Sequence, residues 1–270
     1  VSEASSTSMD DRLKALRWLL PGVVFIATII VWEVMVDVRQ IPHYILPAPS
    51  RIWATFLVDY PVLFASLGQT LKTTFLGLGL ALVGGVGLAV IFAQSRILEY
   101  ALYPYAVILQ VTPVLAIAPL LLIYLPQEAA VLTCAWIVAF FPILSNTTIG
   151  LRSADHNLQN LFDLYGATSW QKLWHLKLMA ALPYFLGGLK IAGGLALIGA
   201  VVAEIAAGSA GAGSGLAYRI VESQFRLNIP RLFAALALLS ITGIVIFLSL
   251  SALSYLLLHK WHESALEREN

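Results

Sequence analysis

Charge is what this sequence has least of. Of its 270 residues only 11% are Asp, Glu, Lys or Arg, against roughly 25% in an ordinary soluble domain. Apolar residues make up 59%, and the mean hydropathy is +0.84. So little charge cannot cover a water-facing surface of this size, so a soluble globular fold is excluded and the chain belongs in a bilayer. Cysteine is nearly absent as well. Cys134 stands alone, which excludes a disulfide framework within the chain, and no Cys/His cluster has metal-ligand spacing. A formal net charge of +1 offers no electrostatic attraction for nucleic acid. The phosphate-binding pattern Gly-x-x-x-x-Gly-Lys-[Ser/Thr] is also missing. The glycine-rich stretch 208–215 has no lysine and follows an apolar run rather than a strand, so it is expected to be a flexible connection and not a nucleotide site. No cofactor and no catalytic group are expected on the chain itself.

What is there is apolar sequence in long runs. A hydrocarbon core of roughly 30 Å needs about 20 apolar residues per spanning helix. Residues 19–36 (interrupted by Glu33), 73–93, 100–127, 129–151, 184–207 (holding Lys190 and Glu204) and 232–258 meet that requirement. The expected fold is all-α and polytopic, with six transmembrane helices. It divides into a cytoplasmic segment 1–18, a membrane domain 19–258 with a cytoplasmic loop 152–183, and a cytoplasmic tail 259–270. The stretch before the first run is polar and acidic, and no small-residue cleavage site follows that run, so it reads as a retained helix. Six spans put both termini on one side. Nine of the 16 Lys and Arg residues fall on that side and five on the other, which makes the termini cytoplasmic by the positive-inside rule.

Within the runs, glycines crowd the second span (Gly77, Gly79, Gly84, Gly85, Gly87) and the fifth (Gly193, Gly194, Gly199). Small residues let helices approach closely where lipid gives no hydrophobic drive to pack. Pro113, Pro119 and Pro142 interrupt the third and fourth spans, breaks that neighbouring helices or water must compensate. Glu33 and Glu204 lie near span ends, where anchoring is the better reading than proton relay. Gln110, Thr112, Ser145, Asn146, Thr147 and Glu204 are candidates for a translocation path or gate, although polar residues that only pack helices have the same sequence appearance.

The loop 152–183 is the most informative piece. Leu158, Leu161, Phe162 and Tyr165 repeat at helical spacing, and Gly166 then supplies a helix stop. Thr168 with Gln171 three residues on has the form of a capping box. The helix it opens would carry Trp170, Leu173, Trp174 and Leu178, with Pro183 opening the next span. Two short amphipathic helices rich in aromatics suit a partner's groove. They suit an interfacial position on lipid equally well.

The stretch Gly166-Ala167-Thr168-Ser169-Trp170-Gln171, with Leu178, Ala181-Leu182-Pro183-Tyr184, Gly188 to Ala192 and Gly199 to Glu204, resembles the cytoplasmic signature of binding-protein-dependent ABC importer permeases of type I. That signature runs Glu-Ala-Ala, three residues, Gly, nine residues, Ile, one residue, Leu-Pro. Ile45 to Pro49 and Thr70-Leu71-Lys72-Thr73 resemble the branch handling nitrate, sulfonates, taurine, bicarbonate and thiamine-type pyrimidines. The chain departs from the signature at Asn160-Leu161-Phe162 in place of Glu-Ala-Ala, at Leu176 for Ile, and at Leu178-Met179 for Leu-Pro.

The resemblance implies a permease subunit of the bacterial cytoplasmic (inner) membrane, one half of a homodimeric path. ATP and Mg would be bound by two separate ATPase subunits. A coupling surface comprising Asn160, Leu161, Phe162, Gly166, Ala167, Thr168, Trp170, Gln171, Leu173, Trp174 and Leu178 would dock on them. A periplasmic or lipid-anchored substrate-binding protein would deliver the cargo, whose identity the residues do not fix. The alternative, a self-contained secondary transporter, needs an ion-coupling site or an inverted repeat, and neither is found. An intramembrane enzyme is excluded further, because His43, His156, His175, His259 and His262 all fall in loops or at span ends.

Overall fold

A computed structural model describes residues 3–208 and 214–259, with side chains from Leu19 onward. The expected tail, apart from His259, and residues 209–213 of the glycine-rich connection lie outside the described residues. The described chain is helical throughout and contains no strand. The helices are α1 (Glu3–Val38), α2 (Pro49–Gln94), α3 (Arg96–Val111), α4 (Val114–Tyr124), α5 (Gln127–Arg152), α6 (His156–Leu164), α7 (Ser169–Lys172), α8 (Leu178–Ala207), α9 (Leu216–Phe225) and α10 (Ile229–Leu258). A π turn, Leu173–Lys177, joins α7 to α8 without a break.

Five helical stretches are long and apolar enough to cross a membrane, and a sixth crossing exists if α3 and α4 together count as one broken span. The interruption expected at Pro113 is present, and α3 and α4 meet there at an angle of 99°. Proline explains the break. The residue before a proline is pushed out of the helical region, and Thr112, before Pro113, is extended at φ −71°, ψ 123°. Its backbone N–H and its hydroxyl both donate to the Ile108 carbonyl, at 3.1 and 2.6 Å, and so close the end of α3. Pro183 behaves differently from expectation. It does not start a helix, because one helical stretch runs from Ser169 to Ala207 with Pro183 inside it. The capping box at Thr168 is the true start.

The chain divides into two compact units: Val1–Pro61 with Glu222–Ala234, and Val62–Val221 with Ala235–Asn270. In the first, Pro49 occupies the opening position of α2, where a missing N–H costs nothing. Ser50 follows, and its N–H and hydroxyl both donate to Glu33, at 2.9 and 2.6 Å. Trp32 packs on Phe233 with ring centroids 5.7 Å apart, and Arg231 lies 3.5 Å from Asp59.

The second unit is built on α5 and α8, and its glycines set the helix spacing. A Cβ on Gly199 would lie 2.8 Å from the Cys134 carbonyl, one on Gly188 2.7 Å from that of Pro142, and one on Gly150 2.8 Å from the Cα of Ala181. As residue numbers rise along α8 their partners fall along α5, so the two helices are antiparallel with backbones nearly touching. Gly77 and Gly85 bring α2 against Ala135 and Ile143 in the parallel sense. Gly193 meets Leu250 of α10. Gly79, Gly87 and Gly194 have open space around them, so only part of the glycine pattern is explained by contacts within this chain. Phe92, Ile143, Leu144, Leu151 and Leu186 fill the main core.

Candidate functional site

The connection between α5 and α8 is more rigid than a loop. Asp155 caps α6 by accepting from the Asn157 N–H at 2.6 Å. At its other end Gly166 takes φ +66°, and its N–H donates to the Asp163 carbonyl while Ala167 N–H reaches Phe162, at 3.0 and 2.9 Å. This pair of bonds is a Schellman closure, which needs a left-handed residue at the glycine position. Three residues on, the Thr168 N–H donates to Gln171 Oε1 at 2.7 Å, and the Gln171 N–H donates to Thr168 Oγ1 at 3.3 Å. Both halves of the capping box are therefore present. Lys172 forms an ion pair with Asp163 across the turn, so Asp163 is already engaged within the segment. Glu99 in the first turn of α3 pairs with Arg152 in the last turn of α5. Each sits where the helix dipole favours its charge.

This scaffold divides the apolar residues into two sets. Leu158, Leu161, Leu164, Tyr165, Trp170 and Trp174 are exposed, the two tryptophans by 60% and 63%. Phe162 and Ala167 are half-buried, while Asn160, Thr168 and Gln171 are exposed. Leu173 is not part of the outward face. It is 1% exposed and belongs to the core with Leu151 and Leu176, and Leu178 packs partly against that core. Leu151 and the rest of that core receive it, while the two tryptophans stay outside. The apolar face offered outward is therefore the tryptophan pair with the α6 leucines.

The candidate path residues do not form one lining. Gln110 and Thr112 lie at the α3–α4 break, and the Thr112 hydroxyl is spent on Ile108. Asn146 donates to the Pro142 carbonyl at 2.8 Å and packs against Gly188 in the α5–α8 seam. Ser145 is half-buried, and Thr147 is 2% exposed with its Oγ1 unpartnered. No hydrogen bond among the described residues joins the Gln110–Thr112 pair to the 145–147 triplet.

Glu204 is buried. It is 7% exposed, and its Oε2 accepts from Thr70 Oγ1 at 3.0 Å and from the Ala217 N–H at 3.1 Å. Thr70 Oγ1 in turn accepts from the Leu216 N–H at 2.8 Å. Leu216 and Ala217 open α9, and those are the N–H groups a helix cannot satisfy internally. A carboxyl from α8 and a hydroxyl from α2 together supply the cap that Gly215 lacks. A Cβ on Gly215 would meet the Glu204 carboxyl, so any larger residue there would push that carboxyl out of its place. Thr70 was missed as a functional partner, although the stretch Thr70 to Thr73 carries part of the family resemblance.

An all-helical chain with this buried seam and five or six stretches long and apolar enough to cross a bilayer has the architecture of a membrane-spanning protein. Residues 81–267 match the model of the binding-protein-dependent transport system inner membrane component family. The chain is 33% identical to the formylaminopyrimidine transport permease protein of Halalkalibacterium halodurans, over 89% of this chain and 95% of that one. It is 31% identical to the riboflavin transport system permease protein of Chloroflexus aurantiacus, over 96% and 97%. Against the putative aliphatic sulfonates transport permease protein of Bacillus subtilis it is 28% identical, over 83% and 80%. The crystal structure of an amino acid ABC transporter shares the fold, with a TM-score of 0.61 at 19% identity over 76% of this chain and 96% of that one. The chain belongs to this family: it is the permease subunit of a binding-protein-dependent ABC importer.

Proposed function

We propose that two copies of this chain form the translocation path of an importer in the bacterial inner membrane, with both termini cytoplasmic. An external binding protein delivers a small solute to the path. Two ATPase subunits, which carry ATP and Mg, drive transport by engaging α6 and α7. One observation carries this reading: a turn fixed by a Schellman closure, a capping box and the Asp163–Lys172 pair holds Trp170, Trp174 and the α6 leucines exposed together. Leucines and tryptophans on a rigid support suit a groove, because little conformational entropy remains to be lost on docking. Aromatic anchors are also where interface energy concentrates. The missing Glu-Ala-Ala acid at Asn160 removes one charge contact and leaves this apolar face intact.

The test uses the complex of the chain with its ATPase. Cys134 is buried, so a cysteine introduced as Leu164→Cys is the one that reacts with a photoactivatable crosslinker. Crosslinking to the ATPase that changes with ATP supports the reading. Crosslinking to lipid alone overturns it in favour of an interfacial helix.

A further inference from the structure

One cavity has no role in the coupling just described. It lies at the end of the bundle opposite α6 and α7, and measures about 400 Å³. Lys72 and Thr73 of α2, Glu128 and Leu132 of α5, Glu204 of α8 and Tyr218 of α9 line it. That volume falls in the range of roughly 300–1,000 Å³ usual for organic ligands. An inorganic oxyanion of four or five heavy atoms needs only about the space of two waters, ~60 Å³.

The charges point the same way as the size. Lys72 is exposed to the cavity and has no ion pair among the described residues. Two acid residues, Glu128 and Glu204, line the same cavity. A bare anion would meet Lys72 favourably but would also bring its charge beside two acid side chains. A molecule with N–H donors at one end and an acceptor at the other satisfies the acids and the ammonium together. Leu132, with Leu76 beside it, gives apolar area for the body between those ends. Glu204 already caps α9 through Ala217, so a ligand here lies against the group that holds that helix.

We propose that this cavity binds a small organic solute carrying an amino-type donor and an acceptor or anionic group, and that bare inorganic oxyanions are not its ligands. The inference rests on the permease reading and narrows its cargo.

The experiment measures binding of radiolabelled cytosine and taurine to the permease–ATPase complex in nanodiscs, with the binding protein left out so that it contributes no site. Nitrate in hundredfold excess is the competitor. The expected result is saturable binding of at least one amino-bearing probe, weakened tenfold or more by Lys72→Met and by Glu128→Gln and not displaced by nitrate. Both side chains are exposed, so an unchanged thermal midpoint is expected for each variant. Absence of binding by both probes, binding indifferent to both substitutions, or displacement by nitrate overturns the assignment. ATP-driven uptake by the complete reconstituted importer reads the permease assignment separately. Uptake of an amino-bearing solute that is equal in wild type and in both variants removes the cavity and leaves the permease.

Discussion

Thr70→Val removes one hydroxyl from the second unit and almost no volume. That hydroxyl does two jobs: it donates to Glu204 at 3.0 Å and accepts from the Leu216 N–H at 2.8 Å. Valine leaves a buried N–H without a partner and the carboxyl with one donor fewer. A hydrogen bond to a charged group is worth about 1.5–3 kcal/mol in soluble proteins. Interhelical side-chain bonds in membranes average about 0.6 and reach about 1.7 kcal/mol. The site is buried but lies at the end of α8, so a cost of about 1–2 kcal/mol is expected, or ~2–8 °C in Tm for a chain of this size. The assay is thermal unfolding in nanodiscs of Thr70→Val, Glu204→Leu and the double variant, with Thr70→Ser as a control that keeps the hydroxyl. Because the two residues share one cap, the double variant should cost about 1 kcal/mol less than the sum of the singles. Additivity to within about 0.3 kcal/mol, or a serine control as damaging as valine, would refute the shared cap.

Gly166→Val should lose at least about 1 kcal/mol from its left-handed backbone and uncouple ATP hydrolysis from uptake. Gly166→Asn should restore both readouts, because the position has open space around it and needs only the dihedral. The pair Trp170→Ala/Trp174→Ala should leave Tm within a degree or two, since both rings are exposed, while the ATPase dissociates at least tenfold more readily in a pull-down. Gly199→Val should instead prevent accumulation of folded protein, because its side chain has to occupy the space of the Cys134 carbonyl; normal yield and Tm would contradict the close seam. Gly215→Ala should destabilise the wild type and be tolerated in a Glu204→Ala background, where the obstructing carboxyl is gone, as Tm values of the single and double variants will tell.

How much of this was legible beforehand depended on the range of the interaction. Local chemistry was readable: the Thr168–Gln171 box and the left-handed Gly166 are set by residues within five positions of each other, and both occur as expected. Apolar length was readable too, which is why most of the runs are helices in the structure. The break at Pro113 was readable as well, and the third run is divided there into α3 and α4. Pro183 went otherwise, because the helix capped by Thr168 runs through it. Leu173 shows the limit of periodicity. Its spacing from Trp170 and Trp174 permits a common face, and only the position of Leu151 and its neighbours decides that the leucine goes inward. The Glu204 cap could not be read at all, since Thr70 lies 134 residues away in sequence.

The two glutamates within the apolar runs, Glu33 and Glu204, share one structural role. An acid within an apolar run is costly to keep, and the default reading of such a residue is a pathway or a relay. Here Glu33 is occupied by the N–H and hydroxyl of Ser50, at the first turn of α2, and Glu204 by the first turn of α9. Each acid meets a helix N-terminus, whose first N–H groups have no acceptor within the helix. The helix end also carries partial positive charge, so a carboxyl gains there what a neutral cap would not. An acid near the end of one span followed by a helix start just beyond it is thus enough to account for both residues by structure alone. Glu33→Gln should therefore cost stability through Ser50 and leave the pH dependence of uptake unchanged. A shifted pH profile with an unaltered Tm would refute this and favour a proton relay at Glu33.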